Sequence, residues 1–161
     1  MIINLSEIGR IYSPFKKIEG MPVQPIGAEE VKGEIHVSKE YEKGLKDIDG
    51  FSHLTLIYYL HKCEGHNLEV TPFLDNSAHG VFATRSPKRP NNLGISVVQL
   101  DKVEGNILHI SNVDVLDGTP VIDIKPYVPQ LYEKTVKNLK VGWFENKHGD
   151  AVNKKADKRF L

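Results

Sequence analysis

The sequence predicts a mainly β protein, a barrel or a sandwich, and three observations carry that prediction. Residues 52–60 alternate cleanly: Leu54, Leu56, Tyr58 and Leu60 fall on one face, His53, Thr55, Ile57, Tyr59 and His61 on the other. Two apolar runs, 95–103 and 107–113, flank Glu104-Gly105-Asn106, a hairpin turn signal. Helical periodicity is scarce, and many short strands with few helices define a closed barrel or a pair of packed sheets.

Taken in order, further strands are expected at 8–12, 33–37, 68–71, 80–84 and 121–125. The last follows the turn Asp117-Gly118 and is ended by Pro126, which cannot donate to a ladder. A short helix is expected after Ser38, an N-cap residue type followed by Lys39-Glu40-Tyr41-Glu42-Lys43, with Gly44 weakening its end. A C-terminal helix is expected over 130–139. One domain, residues 1–132, with a basic extension, 133–161, suits the length of 161 residues.

Composition excludes several classes. No apolar run reaches the length of a membrane span. The start, Met-Ile-Ile-Asn-Leu-Ser-Glu, lacks the basic and apolar regions of a signal peptide. Cys63 is the single cysteine, so no intrachain disulfide forms, and a reducing, cytoplasmic location is expected. Formal net charge is zero. From Glu133 onward, however, eight Lys or Arg face four Asp or Glu. A nucleic-acid partner would therefore meet a local basic patch rather than a global field. Trp143, Phe144 and Phe160 in that segment are placed to stack on bases or to pack on the barrel.

No Gly-x-Gly occurs, which excludes the glycine fingerprint of a dinucleotide-type cofactor fold. His61-Lys62-Cys63-Glu64-Gly65-His66 is rich in metal-ligand types, and His53 lies nearby. Its spacing matches no standard ligand pattern, and no metal is expected.

Two stretches concentrate chemistry. In 80–96, a short apolar run breaks into a loop holding Arg85, Lys88 and Arg89 among Pro87, Pro90, Ser86, Asn91, Asn92 and Gly94. Rigid backbone with fixed cations and hydrogen-bonding side chains suits an anion-bearing ligand; the alternative is a solvated basic loop. In 114–127, Asp114, Asp117, Asp123, Lys125 and Tyr127 surround a turn and a strand, which reads as a ligand wall or as a hairpin with solvated acids.

The runs Gly-Val-Phe-Ala-Thr-Arg-Ser-Pro-Lys-Arg-Pro-Asn-Asn-Leu-Gly-Ile-Ser at 80–96 and Asp-Gly-Thr-Pro-Val-Ile-Asp-Ile-Lys-Pro-Tyr at 117–127 resemble those of the TrmO family, also called TsaA-like or YaeB-like, here in a single-domain form. Ile-Gly-Arg-Ile-Tyr-Ser-Pro at 8–14, Pro-Val-Gln-Pro at 22–25 and Gly-Phe-Ser-His-Leu at 50–54 support the resemblance. It implies a single-sheet β-barrel with one or two short helices. It also implies an S-adenosylmethionine-dependent methyltransferase acting on the N6 nitrogen of threonylcarbamoyladenosine beside the anticodon of tRNA-Thr, and a homodimer with sites near the interface.

By charge and by this resemblance, the cofactor is expected at Gln24, Pro25, Ile26, His61, Lys62, Arg85, Ile95, Val115, Leu116, Asp117 and Gly118. Arg85 would pair with its carboxylate or orient a substrate group, and Asp117 would hold its ribose or ammonium. Lys88, Arg89, Asn91 and Lys125 are expected to meet tRNA or the threonyl carboxylate. The carbamoylated nitrogen is a weak nucleophile that gains strength as its proton leaves, so a proton acceptor is required. Asp117, Tyr127 and His61 are the candidates, with Asp123 also in a motif position. A non-catalytic RNA-binding barrel and a methyltransferase acting on another nucleoside or a small molecule are the competing functions.

Overall fold

The computed structural model describes residues 1–133, 135–145 and 147–160. Its strands are β1 (Gly9–Tyr12), β2 (Lys32–Val37), β3 (His53–Tyr59), β4 (Glu69–Val70), β5 (His79–Gly80), β6 (Leu93–Glu104), β7 (Ile107–Ser111) and β8 (Thr119–Pro126). Six of them close into an antiparallel barrel in the order β1–β2–β7–β6–β3–β8, and β4 pairs with β5 outside it. Closure runs through β1 and β8, where Gly9 faces Val121 and Ile11 faces Thr119. Closure removes the exposed edges that an open sheet of this size would leave.

The alternation of the sequence becomes the alternation of burial. Leu54, Leu56 and Tyr58 of β3 point inward, and they meet Ile11, Ile35, Val98, Leu108, Ile110 and Val121 in one core. Register shifts at Ile57/Tyr58 and at Leu100/Lys102 bend β3 against β8 and β6 against β7. Such shifts supply local twist and curvature to a small barrel. The hairpin turn is where the sequence puts it, with Gly105 at φ 59°.

Three expectations are corrected. Residues 80–84 do not form a strand: β5 ends at Gly80 and a 3-10 turn follows at Val81–Ala83. Val81 is buried with Val70 and Phe73 in a satellite cluster while Phe82 is 75% exposed, and Thr84 Oγ1 donates to Val81 O at 2.8 Å, tightening the turn. The segment after Ser38 is a 3-10 helix, Lys39–Leu45, and Ser38 makes no side-chain cap. The C-terminal helix α1 is only Gln130–Glu133; Asn138 has φ 51°, outside helical geometry.

The extension lies against the barrel. Ala156 N donates to Met21 O and Gly20 N to Ala156 O, both at 2.8 Å, and Pro22 bridges Lys155. Ala151 and Ala156 are buried. A β-carbon on Gly27 would come 2.9 Å from Val152 O, so the turn Pro25–Gly27 and the extension are in close contact. Lys134 and the side chain of Phe160 lie outside the described residues.

Candidate active site

A cleft of about 570 Å³ opens where β3 leaves the barrel and β6 enters it. That volume is within the range of small-molecule sites, roughly 300–1,000 Å³. Leu60, His61 and Lys62 continue β3 along one side, and Leu93, Gly94 and Ile95 begin β6 beside them. Asp114, Val115 and Leu116 approach from the segment before β8, and Arg85 from the loop before β6. Gln24 and Met21 come from the N-terminal loop, and Trp143, Phe144 and Ala156 from the extension.

A line of hydrogen bonds runs from the core into this cleft. Tyr58 Oη lies 2.9 Å from Ser96 Oγ, and Ser96 Oγ donates to Asp114 Oδ1 at 2.8 Å. A serine hydroxyl has one proton. With that proton on Asp114, Tyr58 is the donor to Ser96, and the line is directed toward the carboxylate. Burial pushes the Asp114 carboxyl up to about 6, with the Ser96 bond and Arg85 pulling the other way. Burial, and then the Asp114 charge, raises Tyr58 well above an ordinary tyrosine. Both shifts have the same origin, since desolvation disfavours a charged form that water no longer stabilises.

His61 also lines the cleft, its Nδ1 3.4 Å from Thr119 Oγ1. Burial lowers its pKa, and Lys62 and Arg10 lower it further. The imidazole is therefore biased toward its neutral, proton-accepting form.

The three cations of the 85–89 loop have different surroundings. Arg85 lines the cleft and donates from Nη2 to Ile95 O at 2.9 Å. Arg89 also borders it, but its Nη1 donates to Thr84 O at 2.9 Å and to Ser86 O at 3.2 Å, so this guanidinium staples its own loop. Lys88 donates to Glu64 O at 3.1 Å. Asn92 completes the loop from φ 40°, with Nδ2 donating to Pro87 O and Gly65 O.

Of the residues named from the sequence, Gln24, His61, Lys62, Arg85, Arg89, Ile95, Val115 and Leu116 meet in the cleft. Pro25 and Ile26 lie in the adjoining 3-10 turn, with Ile26 57% exposed. Asn91 is on the outer surface of its loop. Asp117 and Gly118 do not line the cleft. Asp117 accepts from Ser13 N at 2.9 Å and pairs with Lys16 Nζ at 2.7 Å; the Lys16 bond, with that from Ser13, holds its carboxyl below the usual range. It clamps the N-terminal loop to the turn, in which Gly118 has φ 77°. Tyr127 and Lys125 are at the other end of β8: Lys125 faces Thr55, and Tyr127 N donates to His53 O. At about 3.3 Å per residue, the length of β8 separates them from Thr119 in the cleft. Asp123 pairs with Lys125 at 2.6 Å.

Sequence reasoning passed over Asp114 as a site residue. It lies three positions before Asp117 in the same acidic stretch, and the two are distinguished by their partners, Ser96 for Asp114 and Ser13 with Lys16 for Asp117. Among the described residues, no group of three or more His, Cys, Asp or Glu side chains gathers as a metal site. Cys63 is buried, and burial raises its thiol pKa. No helix among the described residues is long and apolar enough to cross a membrane.

The fold is a closed antiparallel β-barrel whose strand ends hold a cleft of small-molecule size with polar and apolar lining. The model of the tRNA-methyltransferase O N-terminal domain matches residues 10–132, and the chain belongs to this family. It is 45% identical over 161 residues to a protein of Pyrococcus abyssi named as a probable S-adenosyl-L-methionine-binding protein, covering all of this chain and 86% of that one. It is 38% identical over 133 residues to the tRNA (adenine(37)-N6)-methyltransferase of Escherichia coli, covering 76% of this chain and 57% of that one. The crystal structure of TrmO from Pseudomonas aeruginosa superposes with a TM-score of 0.72 at 35% identity, over 89% of this chain and 63% of that one. The chain thus spans a little under two thirds of the bacterial proteins it matches.

Proposed function

We propose that this protein binds S-adenosylmethionine in the cleft and methylates the N6 nitrogen of threonylcarbamoyladenosine beside the anticodon of tRNA-Thr. The observation that carries this reading is the Tyr58–Ser96–Asp114 line ending in a largely apolar cleft that Arg85 also lines, in a chain of this family. S-adenosylmethionine joins a sulfonium and an ammonium to a carboxylate and a flat purine. The lining offers matching groups: Asp114 for positive charge, Arg85 for the carboxylate, and Leu93, Ile95, Leu116 and the aromatic side chains for the ring. When bound, the cofactor would supply an electrophilic methyl group.

The chain's own residues then orient and deprotonate. His61, biased neutral by burial, is the member of the sequence-derived trio that lines the cleft, and we assign it the proton of the target nitrogen. Lys62 beside it is exposed and suits the threonyl carboxylate. Lys88 and Asn91, on the outer part of the loop, suit tRNA. In the extension, Lys147 pairs with Asp75 at 2.8 Å and Arg159 with Asp157, so its charge acts partly within the fold. Lys137, Lys140 and Lys155 are exposed and available to phosphates. The same reading includes a homodimer, measurable by light scattering.

Isothermal titration with S-adenosylmethionine in excess chelator tests the cofactor site, and binding is expected without metal. Nucleoside mass spectrometry of tRNA from cells lacking the protein tests the reaction. Unchanged threonylcarbamoyladenosine methylation in those cells would remove this substrate.

A further inference from the structure

We propose that Trp143 and Phe144 of the extension form an aromatic wall of the cleft against which a purine ring packs. The proposal rests on the reading of the cleft as a site for an adenine-bearing cofactor and an RNA adenine. It adds a residue-level assignment from a segment beyond the 10–132 span of the family model.

The indole of Trp143 is held by directed contacts. Its Nε1–H donates to Ala83 O at 2.7 Å. Its ring stacks on the His79 imidazole with centroids 4.6 Å apart and planes 12° apart. The Lys147 ammonium lies 5.8 Å from the ring centroid. Lys147 and His79 are themselves tied together through Asp75, at 2.8 and 2.9 Å. Phe144 packs on the indole at 4.0 Å with the planes inclined by 32°. A solvated tail has no reason to fix an indole on three sides. Yet both rings are only half-buried, and both border the cleft. A core aromatic would be covered; here the uncovered parts of the two rings border the cavity, and a ligand ring can pack there without ordering the wall first.

The rest of the lining names the ligand class. Asp114 and Arg85 suit a ligand that carries charges of both signs. The aromatic pair requires a flat apolar part elsewhere. A charged nucleoside has both, and a purine offers the larger stacking face. The purine comes either from the cofactor or from the target adenine of RNA.

Trp143 is the single tryptophan, so tryptophan emission reports on this wall alone. The full-length protein is titrated with S-adenosylhomocysteine, adenosine monophosphate, methionine and a single-stranded adenine-containing RNA oligonucleotide, with calorimetry in parallel. Purine-bearing ligands should shift the emission along a saturating curve, and methionine should not. A response to S-adenosylhomocysteine and not to RNA assigns the wall to the cofactor; the reverse assigns it to the target base. Emission unchanged by every purine ligand overturns the proposal, even where calorimetry records tight cofactor binding. Emission that responds to a purine while calorimetry records no cofactor binding keeps the wall and removes the cofactor reading. Phe144→Ala should weaken the responding ligand roughly ten-fold, the scale of one aromatic stacking contact. Phe144→Tyr should retain it. Equal affinity in wild type and Phe144→Ala also overturns the proposal.

Discussion

The ring of Tyr58 occupies the place where a β-carbon on residue 94 would go. Built on Gly94, that carbon would lie 2.2 Å from Tyr58 Cε2 and 2.6 Å from Cζ. Gly94 does not have positive φ, so close approach, not backbone freedom, is what requires glycine here. The ring cannot swing aside cheaply, because it is 7% exposed and its hydroxyl is bonded to Ser96.

Gly94→Ala should therefore displace Tyr58 and break the line to Asp114. Overpacking of this kind costs about 1–3 kcal/mol, and each kcal/mol lowers Tm by about 2–4 °C in a chain of this size. Calorimetry should show a reduced Tm together with weakened cofactor binding. An unchanged Tm would mean that the Tyr58 ring relaxes freely.

Arg85→Ala and Lys88→Ala should separate. Arg85 borders the cleft beside Asp114, whereas Lys88 holds the carbonyl of Glu64 away from it. Arg85 is exposed in the free protein, and a bound carboxylate would desolvate it; loss of a charged partner buried in that way commonly costs about 2–5 kcal/mol in binding, and a rim charge much less. Arg89→Ala should behave differently from both, lowering Tm as the carbonyls of Thr84 and Ser86 lose their donor. Equal small effects of Arg85→Ala and Lys88→Ala on cofactor titrations would place the ligand elsewhere.

The legibility of these sites follows a physical division. Alternation at 52–60 is a local pattern, so β3 and its buried face were readable, and the Glu104-Gly105-Asn106 turn fixed its hairpin from three residues. Which carboxylate of 114–117 faces the cleft was not readable. It depends on Ser96 reaching Asp114 and on Lys16 reaching Asp117, both contacts between distant parts of the chain. The same applies to Arg85 and Arg89, four residues apart in one loop with different partners. Tyr127 shares a motif with Asp117, yet a strand carries it to the far end of the barrel. Whether the aromatic residues of the extension stack on bases or pack on the barrel was not readable, because its anchors, Ala151 and Ala156, are small residues that leave no apolar stripe.

Asp114→Asn should change the pH dependence of stability with a defined sign. The folded carboxyl is raised from 3.8 to about 6. Below the lower value it is protonated in both states, and its stabilising contribution is complete. As pH rises through the higher value, the unfolded chain ionises freely and the folded one resists, so wild type loses that contribution. Asparagine has no charged form to resist. The Tm of Asp114→Asn relative to wild type should climb between about pH 4 and pH 6 and level off above. In the same window, wild-type affinity for S-adenosylmethionine should increase as the carboxylate forms, while the variant stays weak and flat. Parallel Tm curves for the two proteins would show that Asp114 titrates normally.

Deletion of residues 142–161 should damage the barrel's cleft before it affects any charge-driven contact with RNA. The segment supplies Trp143, Phe144 and Ala156 to the lining. It also supplies the backbone pairing of Ala156 with Gly20 and Met21, the Lys147–Asp75 ion pair and the Arg159 bond to Pro72 O. Met21, Pro22 and Gln24 of the N-terminal loop border the cleft, and the extension packs behind them. Loss of these contacts should lower Tm by several degrees, on the scale of about 1–3 kcal/mol for a few lost hydrogen bonds. Cofactor affinity should fall with it. A charge-only role predicts the opposite pattern: intact cofactor binding, weaker tRNA binding and a shallower salt dependence. Neutralising Lys137, Lys140 and Lys155 to Gln together isolates that role, since these exposed side chains leave the packing of Trp143 and Ala156 in place. The deletion should weaken S-adenosylmethionine in calorimetry and the triple variant should not, while filter binding of tRNA at several salt concentrations should show a reduced slope in both. Full cofactor affinity in the deletion protein would show that the extension covers the cleft without completing it.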